Sequence, residues 1–304
     1  MQFQMNDVEL LLFRFRESET QTIFNNKFNS MRYILSTLLL FLSLTLPAQN
    51  LQKKAGEILK EAKELLVMEQ ASWHATDHFL ATYPDRRNDI RGYFSYVNED
   101  NEAVTVFYGE ENQLLARYLF KGVPAPERLF VATKDLLIRE QETDLLEIRK
   151  KAFEDMMNNE DGFYSFYENV NPNLIPMIYE GKKKVYIISG SSQPQMLLGN
   201  DYELIFDKNN EIKKRKQLHK SLIPFNYEEN KTAISSVHSH VVSDFIDVTD
   251  ICTLLLYKNY TRIGSHIVLS KKYVSILDLE KETLVILTKK AWDKINEDQK
   301  NKKK

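Results

Sequence analysis

Residues 233–257 read AISSVHSHVVSDFIDVTDICTLLLY, and the change of period within them decides the fold class. Ala233 to His238 is a short apolar run that reads as a strand, with two histidines at or near its end. A polar stretch follows, and Thr249 to Tyr257 then reads as a helix that Thr249 or Asp250 can cap. A strand that gives way to a helix inside an otherwise strand-rich region points to an α+β fold.

The text on either side agrees. Downstream, His266 to Ser270, Tyr273 to Leu279 and Thr283 to Leu287 have strand character, separated by Lys271-Lys272 and by Glu280-Lys281-Glu282 as tight turns. Upstream, the same holds for Lys184 to Ser189, Tyr202 to Asp207 and Glu211 to Leu218, the last two joined by the turn Lys208-Asn209-Asn210. Gly190 to Gly199 has two glycines but no phosphate-binding lysine, and is read as a surface loop. Phe163, Tyr164, Phe166 and Tyr167 are read as core aromatics.

The first part of the folded chain is different in kind. Residues 50–82 form one long amphipathic helix in which Leu51, Ala55, Ile58, Leu59, Ala62, Leu65 and Leu66 recur at helical spacing, ended by Pro84. A hairpin follows, Tyr93 to Val97 and Ala103 to Tyr108, with a third strand over Leu114 to Phe120. A second helix is expected from about Thr133 to Asn158, capped by Thr133 and kinked near Glu142. The expected organisation is therefore a helix-plus-hairpin region over 49–125, a linking helix over 126–160, a β-rich α+β region over 161–290 and a charged tail over 291–304, either as separate regions or as layers of one domain.

At the amino terminus, Met31 opens a secretory leader: Arg32 is a positive n-region, Tyr33 to Leu46 is apolar, and Pro47-Ala48 provides the small residue before cleavage. The apolar run is shorter than the roughly 20 residues of a membrane span. Residues 1–30 are read as a start placed too early, the alternative being a signal-anchor with a short cytoplasmic extension. The protein is thus expected to be exported, periplasmic or secreted, with no transmembrane span after cleavage near Ala48.

Charge and cysteine content narrow the function. The chain carries 41 basic and 43 acidic residues, a net charge of −2, which gives no electrostatic reason to expect nucleic-acid binding. A single cysteine, Cys252, excludes an internal disulfide and sits among apolar residues as a small hydrophobe.

Two histidine pairs could carry chemistry. His74 and His78 lie four apart on the long helix, but opposite its apolar stripe, where solvent-facing side chains are expected. His238 and His240 lie two apart at the end of a strand, so both rings point to one side. Asp247 and Asp250 follow at the helix start, and either can add a carboxylate. Two imidazoles and one carboxylate with an open fourth position is a zinc arrangement that activates water.

Residues 202–287 resemble the JAMM (JAB or MPN+) metallopeptidase family, including its RadC-like members. The strand Tyr202 to Asp207 looks like that family's glutamate strand, His238-Ser239-His240 matches its His-x-His, and Thr249-Asp250 resembles its helix start. The resemblance implies His238, His240 and Asp250 as zinc ligands and Glu203 as the catalytic base. The chain departs at Val241, where the family has proline, and at Asp247, where it has serine. The sequence is read as an exported bacterial protein that acts as a non-catalytic binding or envelope-interaction module, its partner unknown. The alternative is a JAMM-like zinc-dependent peptidase or amidase.

Overall fold

In the computed structural model, residues 49–132, 137–226 and 235–302 are described. The leader at 31–48, the cap at Thr133 and the strand residues Ala233 and Ile234 lie outside them. From Lys54 onward the chain forms one compact unit. It is α+β.

Helix α1 spans 49–82 and buries one stripe, from Ala55 through Ala62, Leu65, Met68 and Ala75 to Phe79. Its second half packs on an antiparallel meander of β1 (Gly92–Val97), β2 (Ala103–Tyr108), β3 (Leu114–Phe120) and β4 (Leu129–Ala132). The alternation along β2 decides which element meets which face. Ala103 and Phe107 face α1, while Val104, Val106 and Tyr108 face the second helix and second sheet. With both faces covered, every residue of β2 is buried.

Helix α2 (Glu140–Asn158) begins later than the sequence reading places it, and Glu142 explains the difference. Glu142 does not mark a kink. It stands in the first turn and accepts the Arg139 backbone N–H at 2.9 Å, closing the helix start. The same carboxylate, fully buried, takes a two-pronged bond from Arg117 (3.0 and 2.7 Å) and the Tyr96 hydroxyl at 2.9 Å. One side chain thus starts a helix and ties it to β1 and β3.

The second sheet has strand order β5-β6-β8-β9, with β5 (Val170–Tyr179), β6 (Lys182–Ser191), β8 (Tyr202–Phe206) and β9 (Ile212–Gln217). Tyr164, Phe163 and Phe166 surround Tyr202 in the core, as expected of them, while Tyr167 is exposed. The stretch read as a loop contains β7 (Gln195–Gly199), which pairs with β10 (Leu222–Asn226). A third sheet follows the order β11-β12-β13-β14: β11 (Ser235–Ser239), β12 (Ser265–Leu269), β13 (Tyr273–Asp278) and β14 (Thr283–Thr288). Strands β11 and β12 run parallel, joined across α3 (Val248–Leu256) and α4 (Lys258–Thr261). Helix α5 (Lys289–Lys302) ends the described chain. No helix among the described residues is long and apolar enough to cross a membrane.

Removing one partner of a buried ion pair strands the other. Glu142→Ala is therefore expected to cost about 3–5 kcal/mol in urea denaturation at neutral pH, and Arg117→Met/Glu142→Leu to cost less than the single change. A loss near zero for Glu142→Ala would show that this pair does not hold α2 in place.

Candidate metal centre

Four side chains from three parts of the fold meet at one point. His238 and His240 come from the end of β11, Asp250 from the first turn of α3, and His219 from the turn between β9 and β10. Their ligand atoms all lie within 4.8 Å of one another. The structure thus assembles His238, His240 and Asp250, and adds His219.

Local rules place each residue. The register of β8 on β9 pairs Tyr202 with Gln217, so Asp201 and His219 emerge together past the sheet end, with Leu218 N–H bonded to the Asp201 carbonyl. The His219 turn presses on Gly199, whose φ of +89° suits glycine, and any Cβ there would strike the Ser221 carbonyl oxygen. On α3, the Asp250 carboxylate accepts the Asp247 backbone N–H at 3.0 Å, which caps the helix and turns the carboxylate toward the histidines.

Each imidazole is anchored through its far nitrogen. His219 Nδ1 lies 2.6 Å from Asp201 Oδ1. His240 Nδ1 lies 2.7 Å from the Phe245 carbonyl oxygen and 2.7 Å from Ser243 Oγ. His238 Nδ1 lies 2.7 Å from His266 Nε2, and His266 Nδ1 lies 2.6 Å from Ser236 Oγ. A carboxylate and a carbonyl only accept, so His219 and His240 each hold a proton on Nδ1 and direct Nε2 inward, where the two nitrogens share a proton or meet an ion. A His238 proton on Nδ1 is passed on in the same sense, through His266 to Ser236. This is the outer ring of partners that metal-bound histidines require.

The inner atoms are crowded in a way that calls for a cation. His219 Nε2 and His240 Nε2 stand 2.7 Å apart, and Asp250 Oδ2 is 3.4, 3.2 and 3.9 Å from the Nε2 atoms of His219, His240 and His238. Two facing lone pairs at 2.7 Å are relieved by a shared proton or by a metal. His238 Nε2 and Asp250 Oδ1 are both buried without a partner, and a proton on His219 satisfies neither. A tetrahedral ion with bonds of about 2.0–2.1 Å sets its ligand atoms about 3.3 Å apart, near the separations of Asp250 from His219 and His240 and wider than the 2.7 Å between those two nitrogens. The four residues could hold a metal ion.

The electrostatics follow from burial and the two aspartates. Burial opposes a charge on His219, but Asp250 and Asp201 outweigh it and raise its pKa to about 11. Burial lowers His238 to about 3, against the pull of Asp250, and lowers His266 to about 4. Burial works to raise the Asp250 carboxyl as well, yet His219 and His240 hold it well below its ordinary range. Asp247, beside the centre with Ser243 Oγ at 2.9 Å, is pushed up to about 7 by burial and by the charge on Asp250.

Glu203 is placed elsewhere. It stands on β8 between Lys184, at 3.2 Å, and Lys216, and both ion pairs hold its carboxyl down against the effect of burial. It is not in the four-residue cluster, so the structure does not bring together the set that the JAMM resemblance implies. The other histidine pair is half-buried, with His78 edge-on to Tyr118 and its Nδ1 3.4 Å from the Tyr118 hydroxyl. Cys252 is buried, as its apolar setting implies.

No protein family, curated protein or solved structure matches the chain.

Asp201 tests the outer ring. Asp201→Asn is expected to weaken metal binding about 10–100-fold in a chelator competition, with the circular dichroism spectrum kept. Unchanged affinity would separate Asp201 from the centre.

Proposed function

We propose that this chain is an exported zinc-binding protein, in which the ion joins His219, His238, His240 and Asp250 and the folded module serves binding rather than catalysis. The observation that carries the reading is the number of protein ligands. Three imidazoles and a carboxylate fill a tetrahedral shell, and filled shells characterise zinc that holds structure together. The ion would tie the β9–β10 turn to the strand–helix unit formed by the end of β11 and the start of α3. Val237, Val241 and Val242 stand exposed beside the centre, and an exposed apolar edge suits a partner-binding face. Export rests on the leader over 31–48.

A second reading, a zinc-dependent hydrolase related to the JAMM peptidases, has one observation in its favour. A cavity of about 60 Å³ reaches all four ligands, past Leu198, Ile223 and Val242. A fifth position on the ion could open there. In this reading Glu203 is engaged by Lys184 and Lys216, and Asp247, 3.8 Å from His219 Nε2 and 3.7 Å from His240 Nδ1, is the proton acceptor beside the centre.

The purified protein is expected to retain about one zinc per chain by elemental analysis and to lose it in His238→Ala/His240→Ala and in His219→Ala. Chelation is expected to lower its melting temperature, and peptide and amide substrates are expected to remain uncut. No zinc in the wild type, after zinc is supplied and the excess removed, would sink both readings. Zinc-dependent cleavage abolished by Asp247→Asn would select the hydrolase.

A further inference from the structure

The small cavity at the metal centre is lined by all four candidate ligands and by Leu198, Leu218, Ile223, Val241 and Val242. Its volume is about 60 Å³. A water-sized sphere takes about 10–15 Å³, so roughly four to six groups of that size fit.

Access to the cluster is uneven. The side chains of Asp250, His240 and His238 are 0%, 1% and 6% exposed, whereas His219 keeps 11%. A molecule therefore reaches an ion on His219 Nε2 past that ring, and the next residue, Lys220, lines the same cavity. Lys220 is exposed and forms no ion pair among the described residues. Asp250, itself a candidate ligand, is the one carboxylate among the described residues of the lining.

The charges in this space do not balance. A divalent ion against one carboxylate leaves an excess of positive charge, and Lys220 adds to it. Apolar walls strengthen the pull of that excess on an anion. The same walls limit what enters, because a second charged group would stand against Leu198, Leu218 and Ile223 without a partner.

We propose that the metal centre binds a free monocarboxylate of two or three carbons as a fifth ligand, with one oxygen on the ion, the other toward Lys220 Nζ, and the alkyl end against Leu198, Ile223 and Val242. The inference rests on the metal-binding reading above. Zinc sites can expand from four ligands to five. Recognition of a small acid at the ion suits a module that binds rather than cleaves. A carboxylate at the end of a peptide chain offers the same headgroup on a body too large for the space.

The test is optical titration of the purified protein loaded with cobalt(II). Cobalt(II) accepts the same nitrogen and oxygen ligands as zinc. Its visible absorption is strong with four ligands and falls when a fifth is added. Propionate is expected to lower the band in one saturating phase, half-complete below about 10 mM, and propionamide, the uncharged isostere, to leave it unchanged. Lys220→Met is expected to weaken the propionate response about fivefold, the upper range for an exposed ion pair. A band that is lost in His219→Ala but is unmoved by propionate up to about 10 mM overturns this proposal alone. A band that shifts and keeps its strength also overturns it, because the acid has then replaced a side chain. So does an unaltered response in Lys220→Met, or tighter binding of N-acetylglycylglycine, which carries the carboxylate on a peptide. If neither cobalt nor zinc is taken up, the metal-binding reading falls and this inference with it.

Discussion

Three imidazoles and a carboxylate share a volume at the junction of β11, α3 and the β9–β10 turn, and none of the four can be moved without disturbing an anchor behind it. Buried polar groups must be paired, and here the pairing is directional. Asp201, the Phe245 carbonyl and the His266–Ser236 pair take the outward protons, so the three Nε2 atoms are turned inward. The arrangement of strands around the site is what makes that direction possible. Parallel pairing of β11 with β12 sets Ser236 opposite His266, so one strand supplies both the ligand His238 and the far end of its relay. The crossover that parallel strands require is α3, and its first turn is where Asp250 sits. Ligand, relay and carboxylate are thus products of one strand–helix–strand unit, to which the β8–β9 hairpin adds Asp201 and His219.

Helix α3 fixes Asp250 by its own burial. Its nine residues span about 12 Å at the usual rise, with Asp250 in the His–Asp cluster near one end. Nearly every side chain between them is buried, including Ile251, Cys252, Leu254 and Leu255. Such a helix has no room to slide or rotate without reopening the core. The Arg117–Glu142 pair fixes α2 against β1 and β3 in a comparable way, and Arg149 stands on the same helix two turns further on. Apolar packing thus holds α3, and a buried polar tie holds α2.

Much of this was legible from periodicity, and the misses have physical causes. The strands β1 and β2 read as short apolar runs because β2 is buried on both faces against different partners, and the switch at 235–256 stands out because an exposed, half-buried strand gives way to an almost wholly buried helix. Strand β5 was not legible because Pro172 and Pro176 interrupt its alternation. It lies at the edge of its sheet, where an absent N–H is tolerated. Strand β10 contains Pro224 in a two-stranded pair for the same reason. Reading Thr133 as the cap starts α2 too early and reading Glu142 as a kink hides the true start, because the Glu142 carboxylate closes the first turn. His238 and His240 could be grouped by spacing, with Asp247 and Asp250 both open as the carboxylate, and the JAMM resemblance singles out Asp250. His219 could not be, because what carries it to the others is the contact between two sheets. Its pairing with Asp201 was within reach, since the Lys208-Asn209-Asn210 turn sets the register of the hairpin that brings them together.

Glu203 marks the limit of reasoning from spacing. A glutamate on a strand ahead of His-x-His has the right sequence to be a base, but a base must stand within reach of the water it activates. On β8 the side chain of Glu203 turns to its sheet neighbours, Lys184 on β6 and Lys216 on β9, and alternation assigns all three to one face. Asp201, two residues earlier, lies past the strand end and is free to follow the turn toward the histidines. The carboxylate that serves the centre from this strand is therefore the one outside the pleat, and it acts by orienting an imidazole. A centre built this way, with one carboxylate capping a helix and another behind a histidine, spends its acidic groups on holding geometry.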